Sequence, residues 1–167
     1  MNGKDPQKTC GLCILGIGLL LFFMEAWKQL YLYYWVFDRR YNVWYLPWQL
    51  CSMPVYLCLG SAGRLRRSRF LKWFLPAAAT FLMDFGMLGG VAALLVPEGF
   101  LHPGHPFLSL HGYLWHILLI ALSLLIACMG AADTTKAGFL KTLPLFFLGA
   151  GVGELLNVLL RDHGDCD

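Results

Sequence analysis

The chain has 167 residues, of which 58% are apolar and only 14% are charged, and its formal net charge is +3. Soluble domains of this size carry about 25% charged residues, so this chain has too few charges to cover the surface of a water-soluble globule. The small, scattered positive charge gives no indication of nucleic-acid binding. The apolar excess therefore predicts a protein embedded in lipid.

Five apolar stretches are long enough to be read as membrane-crossing helices, since a helix needs about 20 such residues. They cover, approximately, residues 10–35, 43–60, 72–96, 107–131 and 138–160. Short polar joints separate them, and neither a strand pattern nor a repeat intervenes. We predict an all-α, polytopic transmembrane bundle of about five spans, forming a single domain over residues 1–167.

The distribution of lysine and arginine predicts that the N-terminus is cytoplasmic. The strongest signal is the joint Arg64-Leu65-Arg66-Arg67-Ser68-Arg69 between the second and third stretches. Lys4, Lys8, Lys72, Lys136 and Lys141 fall on the same side, against Arg39, Arg40 and Arg161 on the other. We expect a multi-pass protein of the cell membrane, with membrane lipids and no nucleic acid among its partners.

Every predicted span carries polar or ionisable side chains, which are costly in lipid and often functional. In chain order they are Glu25 and Lys28, Gln49 and Cys51, Asp84, His111 and His116, and Glu154 and Asn157. At 1.5 Å per residue, a polar group from every helix falls in the outer half of the membrane. Two interpretations are open: pairs such as Glu25 with Lys28 that hold the bundle together, or a shared polar cavity open to the outside.

Cys51 lies between Pro47 and Pro54, and prolines bend a helix and free backbone carbonyls. A thiol there can act as a nucleophile if a histidine takes its proton and a carboxylate orients that histidine. His116 lies at a depth in the membrane that matches that of Cys51. The two side chains can meet if the second and fourth spans are neighbours. The carboxylates available for orienting it are Glu25, Asp84 and Glu154. We expect no metal ion and no other cofactor.

Three segments carry a resemblance to a known family: Leu46-Pro47-Trp48-Gln49-Leu50-Cys51, the run from Gly86 to Pro97, and the run from Phe107 to His116. In order and spacing they resemble the YwaF-type integral membrane proteins of bacteria, over roughly residues 20–160. The resemblance implies a membrane enzyme related to eukaryotic transmembrane phospholipid acyltransferases. Cys51 would then accept the acyl group and His116 would be its base.

The chain departs from that family in two respects. Gln49 stands two residues before the cysteine, where the family has a histidine, so hydrogen bonding is kept and proton transfer is lost. Family members are also longer before Glu25 and beyond Asn157, so we expect a truncated or reduced member.

Three functions follow as hypotheses. The first is a lipid acyltransferase or hydrolase with Cys51 as nucleophile, His116 as base and Gln49 as a candidate oxyanion donor. The alternative is a non-catalytic solute-binding or transport subunit, resembling the small substrate-capturing components of vitamin transporters. Such a subunit would bind ligand through Glu25, Asp84 and Glu154 and would dock on a membrane partner subunit through glycine-rich helix faces. The third is a structural assembly factor.

Overall fold

The structure is a computed structural model that describes residues 6–40, 42–61 and 69–160. Within these ranges the chain forms helices and loops, with no strand. The α-helices are α1 (Pro6–Tyr31), α2 (Met53–Ser61), α3 (Arg69–Leu95), α4 (Pro106–Cys128) and α5 (Lys136–Leu159). The prediction of an all-α membrane bundle is confirmed.

Four of the described helical segments have the length and composition of membrane spans: Gly11–Val36, Phe74–Leu95, Pro106–Cys128 and Lys136–Leu159. The first includes a π-helical turn, Leu32–Val36, that continues α1. The segment predicted as the second span, residues 43–60, has a shorter apolar helix, Leu50–Ser61. Such a helix rises about 18 Å, less than the hydrocarbon thickness of about 30 Å.

The first half of the predicted second span is not α-helical for a local reason. Pro47 has no N–H to donate, and it disfavours the helical conformation at Leu46. Two 3₁₀ turns, Val43–Tyr45 and Leu50–Ser52, flank this proline, and the second leads into α2. Pro54 is tolerated because it lies in the first turn of α2, where N–H groups have no acceptor within the helix.

Helices α3 and α4 pack antiparallel along much of their length. A Cβ added at Gly86 would meet Ser123, and one added at Gly90 would meet Ile120 and the backbone of His116. These glycines let the two helices approach closely. Helix α5 then returns alongside α3, where the rings of Phe85, Phe139 and Phe146 stack.

Helix α1 is also antiparallel to α4. The ring of Tyr31 contacts His105, and deeper in the bundle the ring of Trp27 stacks on His111. Because α1 and α3 both oppose α4, they run in the same direction. The chain between them must therefore pass back along the bundle.

Residues 42–61 make that return passage, partly without α-helix. Near its start, Gln29 Nε2 donates to the carbonyl oxygen of Tyr45 at 2.7 Å. Near its end, Gly18 lies against the side chain of Cys58. We call the end of the bundle with residues 37–50, 96–105 and 160 the distal face, and the end with residues 61, 69 and 129–135 the proximal face.

The predicted orientation of the bundle in the membrane depends largely on residues that the structure does not describe. Arg64, Arg66 and Arg67 of the arginine-rich joint lie outside the described ranges, as do Lys4 and Arg161. The cytoplasmic placement of the proximal face therefore stays a prediction.

Two buried apolar clusters hold the bundle together and position the return passage. The larger includes Cys58, Phe81, Leu82, Leu122 and Ile126, all at most 1% exposed. The smaller consists of Leu21, Val55, Trp115 and Leu119, and Cys51 packs against it. The start of α2 is thus fixed between α1 and α4.

Candidate functional site

Cys51 lies where the non-helical part of the return passage becomes helical, and it is half-buried. Its carbonyl oxygen accepts a hydrogen bond from Trp115 Nε1 at 3.1 Å. Its thiol donates to Gln49 Oε1 at 3.7 Å. The second and fourth segments are therefore neighbours at Cys51.

A buried polar network on α1 lies beside Cys51. Lys28 Nζ is 2.8 Å from Glu25 Oε1, so this pair is formed. Gln29 Nε2 donates to the same Glu25 oxygen at 2.7 Å. The other oxygen, Oε2, is buried without a hydrogen-bond partner in the described part of the chain. The charges of Lys28 and Glu25 act on the Cys51 thiol in opposite directions.

His111 lies on the side of α4 that faces α1. Its ring is stacked between Trp27 and Trp115, with centroids 5.7 Å and 5.6 Å away. Its Nε2 donates to the carbonyl oxygen of Met24 at 3.1 Å, which leaves the lone pair of a neutral ring on Nδ1. Lys28 and Glu25 act on His111 as well, so the imidazole shares its charged neighbours with Cys51.

His116 points in a different direction, because each residue rotates about 100° around a helix. Its ring is buried, stacks on Phe100 with centroids 4.9 Å apart, and donates from Nδ1 to the carbonyl oxygen of Gly112 at 2.8 Å. That hydrogen bond places the lone pair of the neutral ring on Nε2. The described contacts of His116 do not include Cys51, and their pairing stays a prediction.

Asp84 is half-buried on α3. No hydrogen bond or ion pair joins it to any residue in the described ranges, and no described contact links it to Cys51 or to the histidines of α4. An orienting role of Asp84 stays a prediction.

Three other predicted site residues line a cavity of about 720 Å³ between residues 43–50 and α5. Gln49 forms part of one wall, and Glu154 and Asn157 form part of the other. Trp48 joins the two walls by donating from Nε1 to the carbonyl oxygen of Gly149 at 3.1 Å. Because Gln49 also contacts the thiol of Cys51, Cys51 lies next to this wall of the cavity.

The chain was also compared with known families. A family model described as the TMEM164 family matches residues 2–163, nearly the whole chain. The chain belongs to the TMEM164 family. Together with the four long apolar helices, this membership makes it a multi-pass membrane protein. Searches among curated proteins and among solved structures found no match.

The structure of this TMEM164-family chain adds residues that the sequence analysis missed. Gln29 follows Glu25 by four positions, and Trp115 follows His111 by four, so each lies on the same helix face as the predicted residue. That spacing was the available signal.

The distal loop adds two histidines near this network. The ring of His102 lies 6.0 Å from that of Tyr45, and its backbone N–H donates to Ser109 Oγ. Burial lowers the pKa of His102, and the neighbouring His105 and Lys28 add smaller effects in the same direction. His102 is therefore neutral at pH 7 and adds no positive charge to the network of Glu25, Lys28 and Gln29.

Proposed function

We propose that this chain is a membrane-embedded lipid acyltransferase that uses Cys51 as its nucleophile. The observation that carries the proposal is the position of the thiol: it contacts Gln49, a wall residue of the 720 Å³ cavity, and lies beside the buried Glu25–Lys28 pair. Such charges are retained in membranes mainly where they serve a function. The resemblance to YwaF-type proteins implies the same chemistry, with the cell membrane as its location.

The backbone around Cys51 supports a nucleophilic role. The residue lies in the 3₁₀ turn Leu50–Ser52 that leads into α2, and the Trp115 hydrogen bond holds its carbonyl group in place. A fixed backbone limits the positions that the thiol can take, and reaction rates depend steeply on that placement.

A histidine of α4 is needed as proton acceptor, and the geometry favours His111 over His116. His111 faces α1 beside Trp115, whose indole contacts Cys51, and it shares Lys28 and Glu25 with the thiol. His116 faces Phe100. Both rings carry a hydrogen bond to a carbonyl oxygen that selects one tautomer and leaves one basic nitrogen.

In the proposed reaction the Cys51 thiol loses its proton to the histidine, and the thiolate attacks the ester carbonyl of a donor lipid. The carbon–oxygen bond of the ester breaks, and the leaving alkoxide takes the proton from the imidazolium. A hydroxyl group of an acceptor lipid then attacks the thioester, with the histidine again accepting the proton. The thiolate leaves and is reprotonated, so no oxidant or metal ion takes part.

The test uses purified protein in lipid nanodiscs with a phospholipid that carries an alkyne-tagged acyl chain. A thioester on the protein would be labelled by click chemistry, and neutral hydroxylamine would release the label. We expect the label to disappear in Cys51→Ala. His111→Gln should lower the labelling rate at least tenfold, consistent with the 10²–10⁴-fold typical of general-base catalysis, and more than His116→Gln does.

Two matched controls come from the other free thiols. Cys13 and Cys128 are exposed, so Cys13→Ala and Cys128→Ala report on non-specific acylation and should retain the label. Labelling that persists in Cys51→Ala, together with unchanged lipid turnover, would eliminate the enzymatic proposal.

The cavity also favours one non-catalytic alternative, a solute-binding or transport subunit that works with a membrane partner. Its walls carry a carboxylate and two amides, which suffice to bind a solute without chemistry. In that case Cys51→Ser would keep full function, and ligand binding would depend on Glu154. Binding of a ligand to the cavity without any acylation of Cys51 would support this alternative.

A further inference from the structure

We propose that a groove between α1 and α4 binds a sterol, and that His111 accepts a hydrogen bond from the sterol hydroxyl group. The groove has a volume of about 390 Å³, and we call it the α1–α4 groove. Apart from His111, its lining includes Phe23 and Trp27 of α1 and Phe107, Leu110 and Leu114 of α4. Among the described residues, it shares no lining residue with the cavity beside α5.

The α1–α4 groove runs along the distal half of the bundle. Phe107 is the second residue of α4, and Leu114 lies seven residues later, about 11 Å along the helix. On the opposite wall, Phe23 lies near the middle of the span Gly11–Val36. The hydrocarbon core is about 30 Å thick, so the groove covers most of the depth of one leaflet. Its occupant is therefore a component of that leaflet.

The groove opens toward the lipid. Phe23 and Phe107 at its two ends are each 64% exposed, and Leu110 between them is 53% exposed. A ligand dissolved in the bilayer can therefore enter from the side, without passing through the distal loops.

His111 supplies a hydrogen-bond acceptor in this otherwise apolar wall. Its Nε2 donates to the carbonyl oxygen of Met24, so the lone pair of the neutral ring is on Nδ1. Within the described ranges Nδ1 has no hydrogen-bond partner, although the side chain is only 8% exposed. The one fully enclosed side-chain atom without a partner in those ranges is Glu25 Oε2, so Nδ1 is still accessible. A ligand that donates one hydrogen bond would satisfy it.

The forces that act in a bilayer favour a rigid occupant. Lipid chains are as apolar as the groove, so a ligand gains no hydrophobic free energy by moving into it. Binding then depends on hydrogen bonding and van der Waals contact, and it is opposed by the loss of conformational freedom. A flexible acyl chain loses many rotamers, whereas a fused ring system has few to lose. A sterol combines such rings with a single hydroxyl donor, which matches the aromatic wall and His111.

The experiment measures sterol binding by the Cys51→Ala protein in phosphatidylcholine nanodiscs. The probe is cholesterol with a diazirine in its side chain, which leaves the hydroxyl group free. We expect cross-links in α1 and α4 around Phe23 and Leu114. Unlabelled cholesterol should compete about two- to tenfold better than its 3-methyl ether, which lacks the donor, because one net hydrogen bond supplies a factor of that size.

Two variants test the two parts of the site. His111→Phe keeps an aromatic ring and removes the acceptor, so cholesterol and its methyl ether should compete equally. Leu110→Trp fills the groove from a lipid-facing position and should lower the cross-linking severalfold. Ile117→Trp is the matched control, because Ile117 is 50% exposed on the same helix and does not line the groove.

Three results would overturn the inference. The first is equal competition by cholesterol and its methyl ether when His111 is intact. The second is an equal loss of cross-linking in Leu110→Trp and Ile117→Trp. The third is labelling of the same residues by a phosphatidylcholine with a diazirine in its acyl chain that cholesterol does not displace, since the groove would then hold ordinary bilayer chains. The comparison of ligands and Leu110→Trp keep the test decisive if His111→Phe does not fold.

The sterol site goes beyond the proposed acyltransferase and does not depend on it. Hydroxyl-dependent cross-linking without any acylation of Cys51 in the wild-type protein would leave the sterol site and reject the enzyme. Acylation of Cys51 without such cross-linking would keep the enzyme and reject the sterol site. If both are found, bound sterol should slow acylation, because the hydroxyl group and the Cys51 thiol would compete for the same nitrogen of His111.

Discussion

The indole N–H of Trp115 donates to the carbonyl oxygen of Cys51 over 3.1 Å, and this bond links α4 to the 3₁₀ turn that precedes α2. The return passage has little α-helix of its own to satisfy its backbone groups. In a membrane such groups need partners supplied by neighbouring segments. Trp115 therefore stabilises the backbone that carries the proposed nucleophile.

Trp115→Phe tests this relationship, because it keeps an aromatic ring and removes the donor. The carbonyl of Cys51 would be left without that partner, so we expect a loss of about 1–3 kcal/mol in the free energy of unfolding. Acylation of Cys51 should also slow. Unfolding in mixed detergent micelles measures the first effect. Trp35→Phe is the control, since Trp35 is 68% exposed, and an equal effect of both variants would contradict the prediction.

The ion pair of Glu25 and Lys28 predicts an asymmetric pair of variants. Lys28→Met leaves the buried Glu25 carboxylate without its cation, so we expect a destabilisation of about 3–5 kcal/mol. Glu25→Gln should cost less, because the long Lys28 side chain is able to extend toward the distal face. The double variant should be more stable than the sum of the two single effects predicts.

The control for this pair is the second ion pair of the described chain. Lys141 and Asp133 are 3.3 Å apart, with side chains 50% and 34% exposed. Lys141→Met should therefore change the unfolding free energy by less than about 1 kcal/mol. Equal losses in Lys28→Met and Lys141→Met would show that the buried network does not stabilise the bundle.

Gly18 and Gly16 provide a test of the packing between α1 and α2. A Cβ at Gly18 would lie 2.5 Å from Cys58 Cβ, which is too close, whereas a Cβ at Gly16 meets nothing within 4 Å. Gly18→Ala should destabilise the protein by about 1–3 kcal/mol, the usual cost of overpacking. Gly16→Ala should be neutral or slightly stabilising, because alanine favours the helix. Thermal unfolding of the two variants in one detergent measures the difference.

The loop before α5 predicts a pH dependence. The hydroxyl of Thr135 donates to Asp133 at 2.6 Å, and together with the Thr135 backbone N–H and Lys141 it holds the pKa of Asp133 below its usual range. The folded state therefore binds this proton less readily than the unfolded state. The resulting stability is present at neutral pH and is lost as the pH falls below about 4.

The measurement is the difference in unfolding free energy between wild type and Asp133→Asn from pH 7 to pH 3. We expect this difference to shrink in the acid range. Thr135→Val removes the hydroxyl donor and should make the difference less dependent on pH. A difference that stays constant between pH 7 and pH 3 would contradict the assignment.

The long helices were predictable, and the short one was not. The candidate spans in α1, α3, α4 and α5 are each 22 or more residues long and predominantly apolar, which a hydropathy window along the sequence reveals. The second stretch is equally apolar, but Pro47 prevents a regular helix in its first half. Pro47 and Pro54 together predict a bend in this stretch. The change from a bent span to a 3₁₀ turn and a short helix depends on partners such as Trp115 and Gly149, which are distant in sequence.

The candidate site was predictable in its composition and much less so in its geometry. Glu25, Gln49, Cys51 and His111 were identified because polar groups in spans are rare. Their contacts depend on helix rotation. Trp115 and His116 are adjacent in sequence, yet one contacts Cys51 and the other stacks on Phe100.

Residence in lipid, helical structure and the supply of polar side chains follow directly from this sequence, because they depend on local composition and on the need of a peptide backbone for hydrogen bonds in hydrocarbon. The return passage, the cavity beside α5 and the stacking of His111 between Trp27 and Trp115 were decided only by tertiary packing. The reason is geometric: one residue turns a helix by about 100°, so the face that a side chain occupies depends on the close approach of helices at positions such as Gly18 and Gly90.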